Sequence, residues 1–240
     1  MNGSPEILAL HGNLGSSADW ESLGLPGTRT VDLWDFVRLG FREFAGALAV
    51  ELSDGMERPV LAGYSLGGRL ALHALALHPQ RWSGAVIVAA HPGLCCVEDR
   101  IARRSSDSVW AERARIWAWE EFLASWNGQG LFGEVSEPLL ARQRALEARR
   151  EAVAEAFERW SLGAQEDLRP ALGAFAGPVL WISGERDVRF RAVGEEMATV
   201  FPDFRHCIVP SCGHRVLDEG GGEVAAAIRQ IRRRELPVDY

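Results

Sequence analysis

Short apolar runs alternate with stretches of helical period along most of the chain. Ile7–Leu10, Arg29–Leu33, Val60–Tyr64, Ala85–Ala89, Val179–Ser183 and Arg205–Val209 have the length and side-chain mix of strands. Between them, Asp35–Leu52, Arg69–Leu77, Arg191–Val200 and Glu223–Arg233 repeat apolar residues at helical spacing. Strands separated by helices imply parallel pairing, and strands that are apolar throughout imply a sheet covered on both faces. The pattern predicts an α/β fold with a mostly parallel sheet flanked by helices.

One segment breaks the rhythm. From Leu94 to Gln165 the chain places Arg, Glu, Ala and Trp at helical spacing and contains no convincing strand. Residues 94–165 therefore read as a helical cap inserted in an α/β core formed by residues 1–93 and 166–240. Five of the nine tryptophans (Trp110, Trp117, Trp119, Trp126, Trp160) fall in this cap. Most are expected to pack between cap helices, with one or two facing a ligand. Open α/β sheets bind ligands at the carboxyl edge of the strands, where such a cap would sit.

Candidate chemistry is concentrated at that edge. Gly63-Tyr64-Ser65-Leu66-Gly67 follows an apolar strand and opens a helix, the setting of a G-x-S-x-G nucleophile elbow. A serine there needs a base. His11, in Leu10-His11-Gly12-Asn13, lies where backbone approaches the serine. His73 and His78 fall on the elbow helix, where packing or exposure explains them, and His206 falls in a strand. His214, in Ser211-Cys212-Gly213-His214, follows the last strand at the same edge as Ser65. The acid should lie between them in the chain. Asp187 stands just beyond the strand Val179–Ser183, with Glu185 as its substitute. The expected triad is Ser65, Asp187 and His214. The backbone N–H groups of Leu66 and Asn13 are expected to form an oxyanion hole.

Composition narrows the chemistry further. The chain of 240 residues is 47% hydrophobic with a net charge of −7, which argues against general nucleic-acid binding. An anionic small molecule stays compatible, because a pocket can be basic inside an acidic protein. All 26 basic residues are arginine, so Schiff-base, covalent pyridoxal phosphate and Walker-A lysine chemistry are excluded. Cys95, Cys96, Cys207 and Cys212 show no CxxC spacing and read as buried, reduced thiols of a cytoplasmic protein. Met1-Asn2-Gly3-Ser4-Pro5 lacks the features of a signal peptide, and no apolar run approaches the ~20 residues needed to span a membrane.

The triad pattern resembles the α/β-hydrolase superfamily over essentially the whole chain. The chain begins at the strand before His-Gly, so the superfamily's usual first two strands are missing and about six strands are expected. A narrower resemblance rests on Gly63-Tyr64-Ser65-Leu66-Gly67-Gly68-Arg69-Leu70-Ala71, on His91-Pro92-Gly93-Leu94, and on Gly184-Glu185-Arg186-Asp187 with Phe190-Arg191. These are similar to the 2-succinyl-6-hydroxy-2,4-cyclohexadiene-1-carboxylate synthase family of menaquinone biosynthesis. That resemblance implies a lyase that removes pyruvate from 2-succinyl-5-enolpyruvyl-6-hydroxy-3-cyclohexene-1-carboxylate. The triad-activated Ser65 would act as base, with no metal and no organic cofactor. It also implies that Arg69 and Arg103 clamp the substrate's carboxylates and that Tyr64 and Trp126 line the pocket, with Arg104 a substitute for Arg103. The residues alone leave two alternatives open. One is a serine hydrolase acting on an ester, thioester or carbon–carbon bond with the same triad. The other is a ligand-binding protein that retains the fold without turnover.

Overall fold

The structure, a computed structural model, describes residues 6–234. The signal-peptide reading of Met1–Pro5 falls outside them. Strands β1 (Ile7–Leu10), β2 (Thr28–Val31), β3 (Val60–Tyr64), β4 (Gly84–Val88), β5 (Val179–Gly184) and β6 (Phe204–Val209) form one sheet in the order β2-β1-β3-β4-β5-β6. Every neighbouring pair is parallel. The six strands of the sequence reading are therefore the six observed, β1 and β3 with the same ends and the others with ends shifted by at most two residues.

Along the core half of the chain run α1 (Ala18–Glu21), α2 (Phe41–Ala47) and α3 (Leu66–Leu77). The cap follows β4 as α4 (Val97–Ile116), α5 (Trp119–Asn127), α6 (Glu137–Ala145) and α7 (Arg150–Arg159), before the short α8 (Arg169–Leu172) returns the chain to β5. The remaining helices are α9 (Val188–Met197), α10 (Val216–Glu219) and α11 (Gly221–Arg234). No helix among the described residues is long and apolar enough to cross a membrane.

Strand alternation divides the core in two. Leu8, Leu10, Leu61, Ile87 and Trp181 point to the face covered by α2, α3 and α9, and their cluster continues into the cap through Trp119, Phe122, Phe157 and Trp160. Ile7, Ala9, Val60, Ala62, Val86, Val88, Leu180 and Ile182 point to the other face, where Trp20, Val216, Val224 and Ile228 cover them. Burial on both faces is why these strands read as unbroken apolar runs. Because the cap shares one hydrophobic cluster with the core, it is seated on it by the same driving force that folds the sheet.

Four elements differ from the sequence reading for identifiable reasons. The expected helix Asp35–Leu52 is divided. Asp32 accepts from Trp34 N–H, making a 3₁₀ turn at Leu33–Asp35, and α2 begins only at Phe41, where Glu43 takes the Gly40 N–H at 2.7 Å. Leu39, in the break, offers its carbonyl to Trp160 Nε1 and so anchors the cap. Helices α3 and α9 each start three residues before their first expected residue, because their opening turns are set by the elbow and by the Asp187 cap rather than by apolar spacing. Strand β4 ends at Val88, since Ala89 adopts φ +45°.

The cysteine expectation needs correction. All four thiols are unpaired, yet only Cys212 is buried. Cys95 is exposed and Cys96 half-buried on the loop entering the cap, where the chain leaves the sheet, and Cys207 is half-buried because β6 is an edge strand.

Candidate active site

At the carboxyl end of β3 the chain reverses so sharply that Ser65 takes φ +50° and ψ −106°, a strained conformation for a residue with a Cβ. Its amide is held by Val88 O at 2.8 Å. The flanking glycines permit this turn by close approach. A Cβ on Gly63 would stand 2.4 Å from Gly67 O, and one on Gly67 would stand 2.3 Å from Leu10 O. The spacing of the motif is thus a packing requirement that drives the serine hydroxyl out over the sheet edge.

Ser65 Oγ lies 3.1 Å from His214 Nε2, and His214 Nδ1 lies 2.7 Å from Asp187 Oδ2. An ionised carboxylate only accepts, so Nδ1 carries the proton and Nε2 is left as acceptor for the serine hydroxyl. Asp187 is fixed in turn as the cap of α9, its Oδ1 accepting from Phe190 N–H at 3.2 Å. Phe190 packs on the imidazole at 4.5 Å between ring centres, and both His214 and Asp187 are almost wholly buried. Glu185 points elsewhere, accepting from Ser211 N–H, so Asp187 rather than its substitute faces the imidazole.

Leu66 is the first residue of α3, and its N–H has no intrahelical partner. The Asn13 N–H likewise meets no acceptor among the described residues, and both residues line the cavity that contains Ser65. Two free N–H groups beside the serine are the arrangement an oxyanion requires. His11 sits behind them in a structural role. Its Nε2 accepts from Leu33 N–H and its Nδ1 donates to Gly12 O, which orders the loop leading to Asn13.

The serine cavity measures about 90 Å³ and is also lined by Arg69, Arg103, Arg189, His91, Trp126, Phe132 and Phe190. Trp126 packs against Trp110, Phe132 and Phe157, so it serves the cap core and the cavity together. Arg104 turns away to Gly163 O, leaving Arg103 as the cavity arginine of that pair. Tyr64 departs from expectation. It lines a larger adjoining cavity of about 340 Å³ rather than the one around Ser65, and its hydroxyl donates to His214 O at 3.1 Å. The register explains this: Tyr64 precedes the turn and faces the opposite side of the sheet from the residues beyond it. Asn13, Trp126 and Phe132 border both cavities.

Electrostatics in the serine cavity are lopsided. Arg103 is matched by Asp107, which takes its Nε with both oxygens at 2.8 and 2.9 Å. Arg69 has no carboxylate partner among the described residues; its Nη1 reaches only Gln165 Oε1 at 3.3 Å. Loss of solvation, with Arg103 adding like-charge repulsion, pushes Arg69 down to about 9. Arg189 makes no ion pair among the described residues and rests over the Phe190 ring. Arg189, Gln165 and Phe132 escaped the sequence reading. They belong to helix starts and loops whose spacing carries no motif, and only the fold brings Arg189 and Phe132 to the serine cavity and Gln165 to Arg69. No group of three or more His, Cys, Asp or Glu side chains suited to a metal occurs among the described residues.

His73 and His91 are buried histidines held neutral. Burial pushes His73 down to about 3, with Arg69 and Arg42 adding to it. Burial pushes His91 down to about 4, assisted by Arg189, Arg169, Arg69 and Arg103. On unfolding both return to the ordinary value of 6.5, so below it the unfolded chain binds more protons than the folded one. Their stabilising contribution is complete above pH 6.5 and is lost as pH falls from 6.5 towards 4. The expected slope reaches roughly 1.4 kcal/mol per pH unit for each histidine. Asp19, raised by burial, acts in the opposite sense above its ordinary value of 3.8. Urea unfolding across this window should show the slope, and His73→Gln should reduce it by about half. An unchanged slope in that variant would contradict the assignment.

The sheet, the elbow and the Ser–His–Asp constellation together define an α/β-hydrolase. A family model described as the alpha/beta hydrolase family matches residues 7–227. The chain is 33% identical to the 2-succinyl-6-hydroxy-2,4-cyclohexadiene-1-carboxylate synthase of Enterobacter sp. (strain 638), covering 96% of this chain and 93% of the relative. It is 34% identical to the enzyme of the same name from Salmonella agona, with 96% and 95% coverage. MenH from S. aureus superposes with a TM-score of 0.85 over 98% of this chain and 96% of that one, at 22% identity, a likeness of fold. The chain belongs to the 2-succinyl-6-hydroxy-2,4-cyclohexadiene-1-carboxylate synthase family.

Proposed function

We propose that this protein is a carbon–oxygen lyase that eliminates pyruvate from 2-succinyl-5-enolpyruvyl-6-hydroxy-3-cyclohexene-1-carboxylate, giving 2-succinyl-6-hydroxy-2,4-cyclohexadiene-1-carboxylate. The observation that carries the reading beyond the family is the charge in the serine cavity. Of three guanidinium groups there, only that of Arg103 has a carboxylate beside it among the described residues. A substrate with carboxylates on its ring, its succinyl arm and its enolpyruvyl arm supplies the missing partners. Arginine's planar fork suits them because it can meet both oxygens of a carboxylate.

In this reading Ser65 Oγ passes its proton to His214 Nε2 and takes the ring proton next to the succinyl ketone. The electron pair left behind moves into the ketone, whose oxygen becomes an enolate facing the N–H groups of Leu66 and Asn13. As the carbonyl re-forms, the ring gains its second double bond and the carbon–oxygen bond to the enolpyruvyl group breaks. His214 returns the proton to the departing pyruvate enolate. Asp187 holds the imidazole in the required tautomer and stabilises its charged form. Acid and base alone balance the reaction.

Purified protein given this substrate should release one pyruvate per molecule consumed, followed by a lactate dehydrogenase couple, while a conjugated diene appears. Consumption of the substrate without pyruvate, or no consumption at all, would rule the reading out.

A further inference from the structure

Gln165 stands where cap and core meet, just beyond α7, and has no exposed surface. Its Nε2 donates to His91 O at 2.9 Å and its Oε1 accepts from Arg69 Nη1 at 3.3 Å. The orientation of the amide follows from its partners, since a carbonyl only accepts and a guanidinium only donates. Arg69 itself lies one turn beyond Ser65, with its guanidinium 5.8 Å from the Phe41 ring centre.

A poorly solvated guanidinium is normally answered by a carboxylate. That is what happens at Arg103, where Asp107 takes the guanidinium with both oxygens and also accepts the Ser161 hydroxyl. Asp107 is therefore fully engaged. The other charged or titratable groups around Arg69 are Arg103 from α4, His73 on its own helix, His91 after β4 and Arg189 on α9. Among the described residues Asp107 is the one acid that acts on Arg69. At position 165 a glutamate of the same shape would complete an internal ion pair, yet the residue is the neutral amide.

We propose that Gln165 is a positioning residue that orients Arg69 without neutralising it, so that a carboxylate of the substrate becomes the counterion Arg69 lacks. The amide fixes the direction of one guanidinium nitrogen and leaves the remaining donors and the whole charge to the cavity. A glutamate there would have to be displaced by each incoming substrate. The inference rests on the reading of the cavity as a carboxylate site.

Gln165→Glu and Gln165→Met separate charge from shape. The Glu variant should raise KM at least about 30-fold, with kcat changed far less, because the cation is already paired. Its thermal midpoint should stay above that of the Met variant, because the partner gained by Arg69 offsets the lost Nε2 bond to His91 O, which neither variant can make. The Met variant keeps the free charge and loses only its orientation, so KM should rise about three- to tenfold with a lowered midpoint. Stability and affinity moving in opposite directions between the two variants is a result that a packing role cannot produce. A Glu variant with wild-type KM overturns the proposal, as does one weakened and destabilised in step with the Met variant. Should the Glu variant not fold, the Met variant decides: a KM increase of about 30-fold or more there places the loss in the amide's shape.

Succinate binding by calorimetry keeps this test apart from the lyase reading. A wild-type protein that binds succinate, more weakly as Gln165→Glu, but releases no pyruvate refutes the lyase and leaves the role of Gln165 standing. Pyruvate release with equal succinate binding in all three proteins refutes the role of Gln165 alone. A wild-type protein that does neither refutes both.

Discussion

Ser65→Ala is expected to lower kcat for pyruvate release on the order of 10³-fold while leaving the protein folded. The expectation follows from the 3.1 Å contact between Ser65 Oγ and His214 Nε2 and from the proposed part of that oxygen as base. Removing it leaves the arginines and the N–H pair in place, so KM should change little. Alanine keeps a Cβ at φ +50°, so the strain of the elbow is retained and the thermal midpoint should stay close to wild type. Steady-state pyruvate release alongside thermal unfolding checks both halves. Near-native turnover in the variant would remove Ser65 from the chemistry, and a collapsed midpoint would mean the hydroxyl holds the turn together.

Arg69→Met should reduce kcat/KM by roughly 100-fold, mostly through the constant that reports the Michaelis complex. Methionine keeps an apolar stem beside Phe41 and removes the charge, so the loss measures the anion contact more than the packing. The same change at Arg103 should cost less. That side chain is 37% exposed, and removing it leaves Asp107 unpaired at the cap, where part of the penalty appears as lost stability. Equal kinetic constants for wild type and Arg69→Met would show that the substrate's carboxylates bind elsewhere.

Much of this site was legible before the fold was known, for physical reasons that differ residue by residue. The inner strands β1, β3, β4 and β5 could be read because burial on both faces leaves them almost wholly apolar. The edge strands β2 and β6 carry exposed polar residues and could be read from their β-branched content and flanking turns. Ser65 could be read because the turn it occupies admits only glycine at Gly63 and Gly67, which writes the geometry into the sequence. Asp187 and His214 follow from chain order and from their places just beyond strands. Less was legible where tertiary contact alone decides. Nothing in the spacing of Gln165 or Arg189 announces that the fold carries Arg189 to the cavity of Ser65 and Gln165 to the guanidinium of Arg69. Tyr64 adjoins the serine in sequence, yet strand alternation sends its ring into the neighbouring cavity. The break in the helix after Asp35 depends on a side-chain cap and on Trp160 reaching across from α7, neither visible as periodicity.

The central claim is that a serine triad built like that of a hydrolase here performs an elimination. The most direct measurement is the mass of the ring product formed in ¹⁸O-labelled water. Elimination removes the ring carbon–oxygen bond together with pyruvate, so the account predicts a cyclohexadiene product that carries no label. A ring product heavier than that diene by the elements of water, or a released carboxylate carrying labelled oxygen in its carboxyl group, would show hydrolysis and contradict it.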